Sequence, residues 1–173
     1  SAEDLALVLE LLVKRDELLV ANLRPAMDVS KMRIAAWFDD DFCRIDEEVL
    51  SVITATLDKV EASGLAIDRH ARPDIDPTEA LRLGLGLVSA AMLQSQPEEA
   101  ANEAGMSHRQ WLDDNMKREA IRGKWQIFFE SFDAIIMPVS FVPPFKHIHE
   151  GDFSNRSLVC NGEARAYAEL VSW

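Results

Sequence analysis

Met32-Arg33-Ile34-Ala35-Ala36-Trp37-Phe38 is an apolar run broken only by Arg33, and Asp39-Asp40-Asp41 closes it. A run of this length without polar alternation has the pattern of a strand covered on both faces. A helix is predicted next. Asp46 is placed to cap it, and Glu47 and Glu48 fall in the first turn, where negative side chains suit the helix dipole. Ile45 before the cap and Leu50 after it are spaced to close a hydrophobic staple. Val49, Val52, Ile53, Thr56, Leu57 and Val60 share one face, and Gly64 supplies a left-handed stop. Leu65 to His70 reads as a second strand, parallel to the first because a helical crossover joins them. A strand-helix-strand unit of this kind puts the chain in the α/β class.

Upstream, Ser1 caps an amphipathic helix with Leu5, Val8, Leu9 and Leu12 at three- and four-residue spacing. From Lys14 to Lys31 the periodicity fades and Pro25 intervenes, so a loop with a short helical turn is expected there. Downstream, Asp76, Pro77 and Glu79 form a capping box with proline at the first helical position, opening a helix to about Gln94. Gln96 to Met106 is an acidic, alanine-rich connection. Ser107 with Gln110 is a second capping box, and Met106 with Trp111 a second staple. The long helix that follows directs Trp111, Leu112, Met116, Ile121, Trp125, Phe128, Phe129 and Phe132 toward one side. Gly123 within it costs about 1 kcal/mol relative to alanine, a loss that a packed neighbour would offset. Ala134-Ile135-Ile136-Met137 is a buried strand, stopped at Pro138 because proline cannot donate to a ladder. The tail is irregular apart from a hairpin at Asn161-Gly162.

These elements predict a three-layer α/β fold. A small mixed sheet with strands at 32–38, 65–70 and 133–138 is flanked by four main helices in a single unit spanning 1–173. The 173 residues suffice for one domain with its own core. A net charge of −12, with a pI near 4.7, repels phosphate backbones and excludes a nucleic-acid or anionic-membrane partner. Cys43 and Cys160 are too few for a disulfide framework and read as thiols of a reducing compartment. No apolar run is long enough for a membrane span and residue 1 opens no signal peptide, so a soluble, cytoplasmic protein is expected.

No catalytic motif emerges from the residues alone. Gly84-Leu85-Gly86 has Ser89 at the third glycine position of a dinucleotide fingerprint and no strand before it. His147-Ile148-His149-Glu150 offers ligands on an extended segment with no fourth donor nearby, and Asp39-Asp40-Asp41 reads as a solvated strand end. No cofactor or metal is expected. Asn155-Arg156-Ser157 matches a glycosylation sequon by pattern alone, and no Gly-x-Ser-x-Gly, His-Glu-x-x-His or phosphate-cradling glycine loop occurs.

The order of the segments resembles the amidase signature family. Ser1-Ala2-Glu3-Asp4-Leu5-Ala6-Leu7, Met32-Arg33-Ile34-Ala35-Ala36-Trp37 and Ile45-Asp46-Glu47-Glu48-Val49 look like its middle portion. Arg118 to Asp133, with Arg122, Trp125, Phe128-Phe129 and Phe132-Asp133, runs into Ile135-Ile136-Met137-Pro138-Val139. Pro144-Phe145, Arg156-x-Leu158, Asn161-Gly162, Tyr167 and Trp173 follow, and that succession is similar to the stretch after the family's nucleophile region.

The resemblance implies hydrolysis of a carboxamide by a serine nucleophile, a second serine in a cis peptide and a lysine base. In the family these residues come from a Gly/Ser-rich segment and an earlier lysine. This chain has no Gly-Ser-Ser or Gly-Gly-Ser, and its only Ser-Gly pair, Ser63-Gly64, falls at a helix end. The expectation is therefore an internal portion of an amidase, truncated at both ends and inactive alone, with no catalytic residue to transfer. Met137, Pro138, Phe141 and Phe145 resemble the segment bordering the family's substrate cleft and are the candidate walls for a small-molecule amide. Strands deprived of their usual neighbours would leave open edges and favour self-association. The alternative is a free-standing α/β small-molecule-binding or protein-interaction module without enzymatic activity, its crevice at the strand ends of residues 32–70.

Overall fold

The computed structural model describes residues 1–13, 28–93, 105–149, 151 and 155–171. They fall into two compact units, Ser1–Lys31 and Met32–Trp173, and the strands and their helices belong to the second. In the first unit, helix α1 (Ala2–Val13) is capped by the Ser1 hydroxyl, which accepts the Asp4 N–H at 3.3 Å. Val29–Lys31 forms one short 3-10 turn. Most of the expected loop at 14–31 lies outside the described residues, as does most of the 96–106 connection.

The second unit is mixed α/β. Strands β1 (Ile34–Ala36), β2 (Ile67–Asp68) and β3 (Ala134–Ile136) form one sheet in the order β2-β1-β3, and both pairings are parallel. The antiparallel pairing expected within a mixed sheet lies instead in a separate hairpin, β4 (Ser157–Cys160) with β5 (Glu163–Ala166). Helix α2 (Glu47–Ala62) links β1 to β2, while α3 (Pro77–Leu93) and α4 (His108–Ser131) link β2 to β3 and pack on each other. All three parallel strands are shorter than the segments expected at 32–38, 65–70 and 133–138. β1 starts only after Arg33, whose side chain turns to the Asp133 carboxylate (Nη2 to Oδ1, 2.9 Å) and to the Glu130 carbonyl (2.9 Å). β3 stops before Pro138, as a residue without an N–H requires.

The caps read from sequence form. Asp46 accepts the Glu48 N–H at 3.0 Å, Asp76 accepts those of Thr78 and Glu79, and Ser107 accepts that of Gln110. Gly64 has φ +98°, the left-handed stop of α2. At the hairpin tip both Asn161 (φ 51°) and Gly162 (φ 84°) have positive φ, which defines the type I′ turn that matches strand twist.

One core cluster joins the sheet, α2 and the hairpin. Ala36 ends β1 and Phe38 lies just beyond it, Leu57 comes from α2, and Leu158 and Cys160 come from the inward face of β4. Leu57 is 1% exposed, and its burial contributes about 2–3 kcal/mol. Trp37, between Ala36 and Phe38 in the alternation, meets Trp125 of α4 at a ring-centroid distance of 6.4 Å. Among the described residues no helix is long and apolar enough to cross a membrane.

Candidate functional site at the carboxyl ends of the strands

The strand order β2-β1-β3 makes the chain leave β1 toward one side and return to pair on the other. In open parallel sheets ligands bind at such a reversal, outside the carboxyl ends of the two strands flanking it. Here those ends are Trp37, after β1, and Met137, after β3. The ladder carries on into them, because the Trp37 N–H donates to the Ile136 carbonyl at 2.9 Å.

Trp37 is fixed on several sides. Its indole Nε1–H donates to Asp40 Oδ2 at 2.7 Å, and the Arg72 guanidinium lies 5.6 Å from the ring centroid. Arg72 in turn donates to the carbonyls of Ala36 (3.0 Å) and Ala71 (2.8 Å), tying the segment after β2 to the end of β1. The acidic trio is thus a turn with assigned partners. Asp40 also accepts the Phe42 N–H, and Asp41 pairs with Arg44 at 2.7 Å.

Two apolar hollows open beside these strand ends. The first, of about 330 Å³, lies between Trp37, Phe42 and Met137 on one side and Leu81, Leu85 and Trp125 on the other. Among the described residues none of its lining side chains is charged. The second, of about 430 Å³, is walled by Met137, Pro138, Val139, Pro144 and Phe145 with Val49 and Ile53 of α2. Three of the four residues expected to border a cleft therefore share one hollow, and Met137 belongs to both. Phe141 does not join them. It is fully buried in the core, its carbonyl accepting the Asp46 N–H at 2.7 Å, with the Arg165 guanidinium 4.1 Å from its ring centroid. The proline-rich segment turns at residues 139–142, and this points Phe141 inward while Val139 stands 95% exposed.

Sequence reading missed Trp37, Gly84 and Trp125 as site residues. Trp125 reads from sequence as part of a core stripe, and Gly84 as an interior residue of the helix opened by Asp76. Gly84-Leu85-Gly86 lies in the interior of α3, as the helix expected from Asp76 to about Gln94 requires. A glycine in the interior of a capped helix, where it costs stability, was the available signal for Gly84; the open space beside it exists only in the fold.

The polar side chains nearby are engaged. Ser140, in the second hollow, accepts the Val142 N–H at 3.3 Å. Lys124 faces Asp74 at 3.4 Å, and Lys117 lies 4.0 Å from both Glu79 and Asp114. His147 and His149 stack at 5.6 Å, while Glu150 lies outside the described residues. Cys43 and Cys160 are free thiols in the core. Burial pushes the Cys160 thiol up, against the opposing pull of Arg165. Burial also works against the charge on Arg165, but hydrogen bonds to the Cys43 sulfur and the Glu169 carboxylate outweigh it and hold that guanidinium above its ordinary value. What the arrangement can do chemically is bind an apolar group at a rigid aromatic wall.

No family model matches the chain, and no curated protein is similar enough to count as a relative.

Proposed function

We propose that this chain is the scaffold and substrate-cleft portion of an amidase, a hydrolase of carboxamide carbon–nitrogen bonds, whose serines and lysine lie on other chain segments. The observation that carries the reading is the pair of apolar hollows at the reversal point of the sheet, meeting at Met137. That position corresponds to the segment whose resemblance to the amidase signature family led to it. On this reading the α/β unit is part of the family's three-layer fold, and Met137, Pro138 and Phe145 form one wall for the substrate. Phe141 supports that wall from the core. The two core thiols fit a reducing, cytoplasmic setting. The surfaces that the remaining fold would cover promote self-association.

The coding sequence flanking the chain tests the proposal. A lysine followed by a Gly/Ser-rich segment, in frame and upstream, is the expected result. Its absence would leave a free-standing binding module instead. Residues 1–173 alone are expected to hydrolyse no amide, and turnover intrinsic to this chain would overturn the reading.

A further inference from the structure

The hollow between Trp37 and Trp125 has the attributes of a built site. Its walls are held before any ligand arrives: Trp37 by Asp40 and Arg72, and Trp125 by Phe128 (5.7 Å, edge-on) and Phe129 (5.8 Å, stacked). Walls of this kind reduce the ordering cost of binding. Met137 adds a side chain that adapts to an irregular ligand edge. A volume of 330 Å³ is about twice the ~150 Å³ of an apolar cavity that accepts benzene, which leaves room for two fused rings and a small substituent. With no charged lining residue to pair with, a charged ligand would lose its hydration without compensation.

Gly84 sets the depth. It lines the hollow from the interior of α3, where glycine costs about 1 kcal/mol relative to alanine. Among the described residues a Cβ built there meets nothing within 4 Å, whereas one built at Gly86 meets Met106 Cε at 3.6 Å. A side chain at position 84 would therefore be tolerated by its neighbours and would fill the hollow.

We propose that this hollow binds an uncharged bicyclic aromatic group, with Gly84 as the specificity-determining residue. That the group is the acyl or amine substituent of an amide substrate rests on the amidase reading; the binding itself does not.

Calorimetric titration of the chain with 2-naphthamide and 2-naphthoate tests the inference. Saturable binding of the amide, at least tenfold tighter than that of the carboxylate, is expected. The indole N–H resonances of Trp37 and Trp125 should shift while that of Trp111 stays. Gly84→Leu should weaken binding at least tenfold with helix content unchanged. The inference is overturned by no saturable binding, by equal affinity for the carboxylate, or by full affinity in a folded Gly84→Leu variant. Should that variant not fold, the resonance map of the unaltered chain decides, and a shift of Trp111 alone overturns the inference. Failed binding leaves the amidase reading to its flanking sequence, and a flank without the Gly/Ser segment leaves the measured ligand in place.

Discussion

Asn161 shows how one residue holds two elements together. Its side-chain oxygen accepts the Glu47 N–H at 2.8 Å, and its amide donates to the Ile45 carbonyl at 3.1 Å. Asp46 reciprocates by accepting the Asn161 N–H at 3.0 Å. The hairpin tip thus caps the start of α2 while adopting the left-handed conformation that asparagine tolerates. Asn161→Gly keeps that conformation and is expected to cost about 1–2 kcal/mol through the two lost side-chain bonds. Asn161→Ala should cost about 1 kcal/mol more from backbone strain, and urea unfolding of the two variants measures the difference. The turn was legible in the Asn-Gly pair; the clasp on α2 was not, because a contact across 114 residues leaves no local pattern. Cys160 carries a pH dependence. Its thiol is held above the ordinary value of 9.0 by burial, so the unfolded chain ionises first. The stabilising contribution is complete below that ordinary value and fades as pH rises through the folded one. The destabilisation caused by Cys160→Ala should accordingly shrink between pH 8 and pH 10.5 in paired urea titrations, and a constant difference would contradict the assignment.

Among the elements, those with caps and stops were readable and those defined by neighbours were not. Asp46 and Gly64 mark α2 in the chain itself. The strand segments at 32–38, 65–70 and 133–138 were located, but their observed lengths depend on where Arg33 turns to Asp133 and on where the ladder partners end. The hollow beside Trp37 was hidden for the same reason, since α3 and α4 approach the strand ends only after folding. Gly123 of α4 is a case where the helix cost read from sequence stands alone. Among the described residues no neighbour packs against it, as a Cβ built there meets none of them within 4 Å. Its helix cost is therefore not offset, and Gly123→Ala should stabilise the chain by about 1 kcal/mol. A raised urea midpoint with unchanged m-value is the expected signature, and a lowered midpoint would mean that the site is tighter than the structure shows.

For the molecule as a whole, two forces oppose each other at the surface. β3 pairs only with β1 among the described residues, and beyond it Val139 is 95% exposed above the apolar wall of Pro144 and Phe145. Open edges and apolar patches of this kind draw copies together. The net charge of −12 pushes copies apart, and this repulsion weakens as salt shortens its range. Raising ionic strength from about 0.01 M to about 0.1 M cuts the screening length from roughly 30 Å to roughly 10 Å. Association should therefore strengthen with salt, the reverse of what charge-paired interfaces do. In sedimentation equilibrium the average mass should rise with protein concentration, more steeply at the higher salt, and Val139→Asp should flatten the rise. A strictly monomeric particle at every concentration and salt would mean that the edge of β3 and the apolar wall beyond it do not draw copies together.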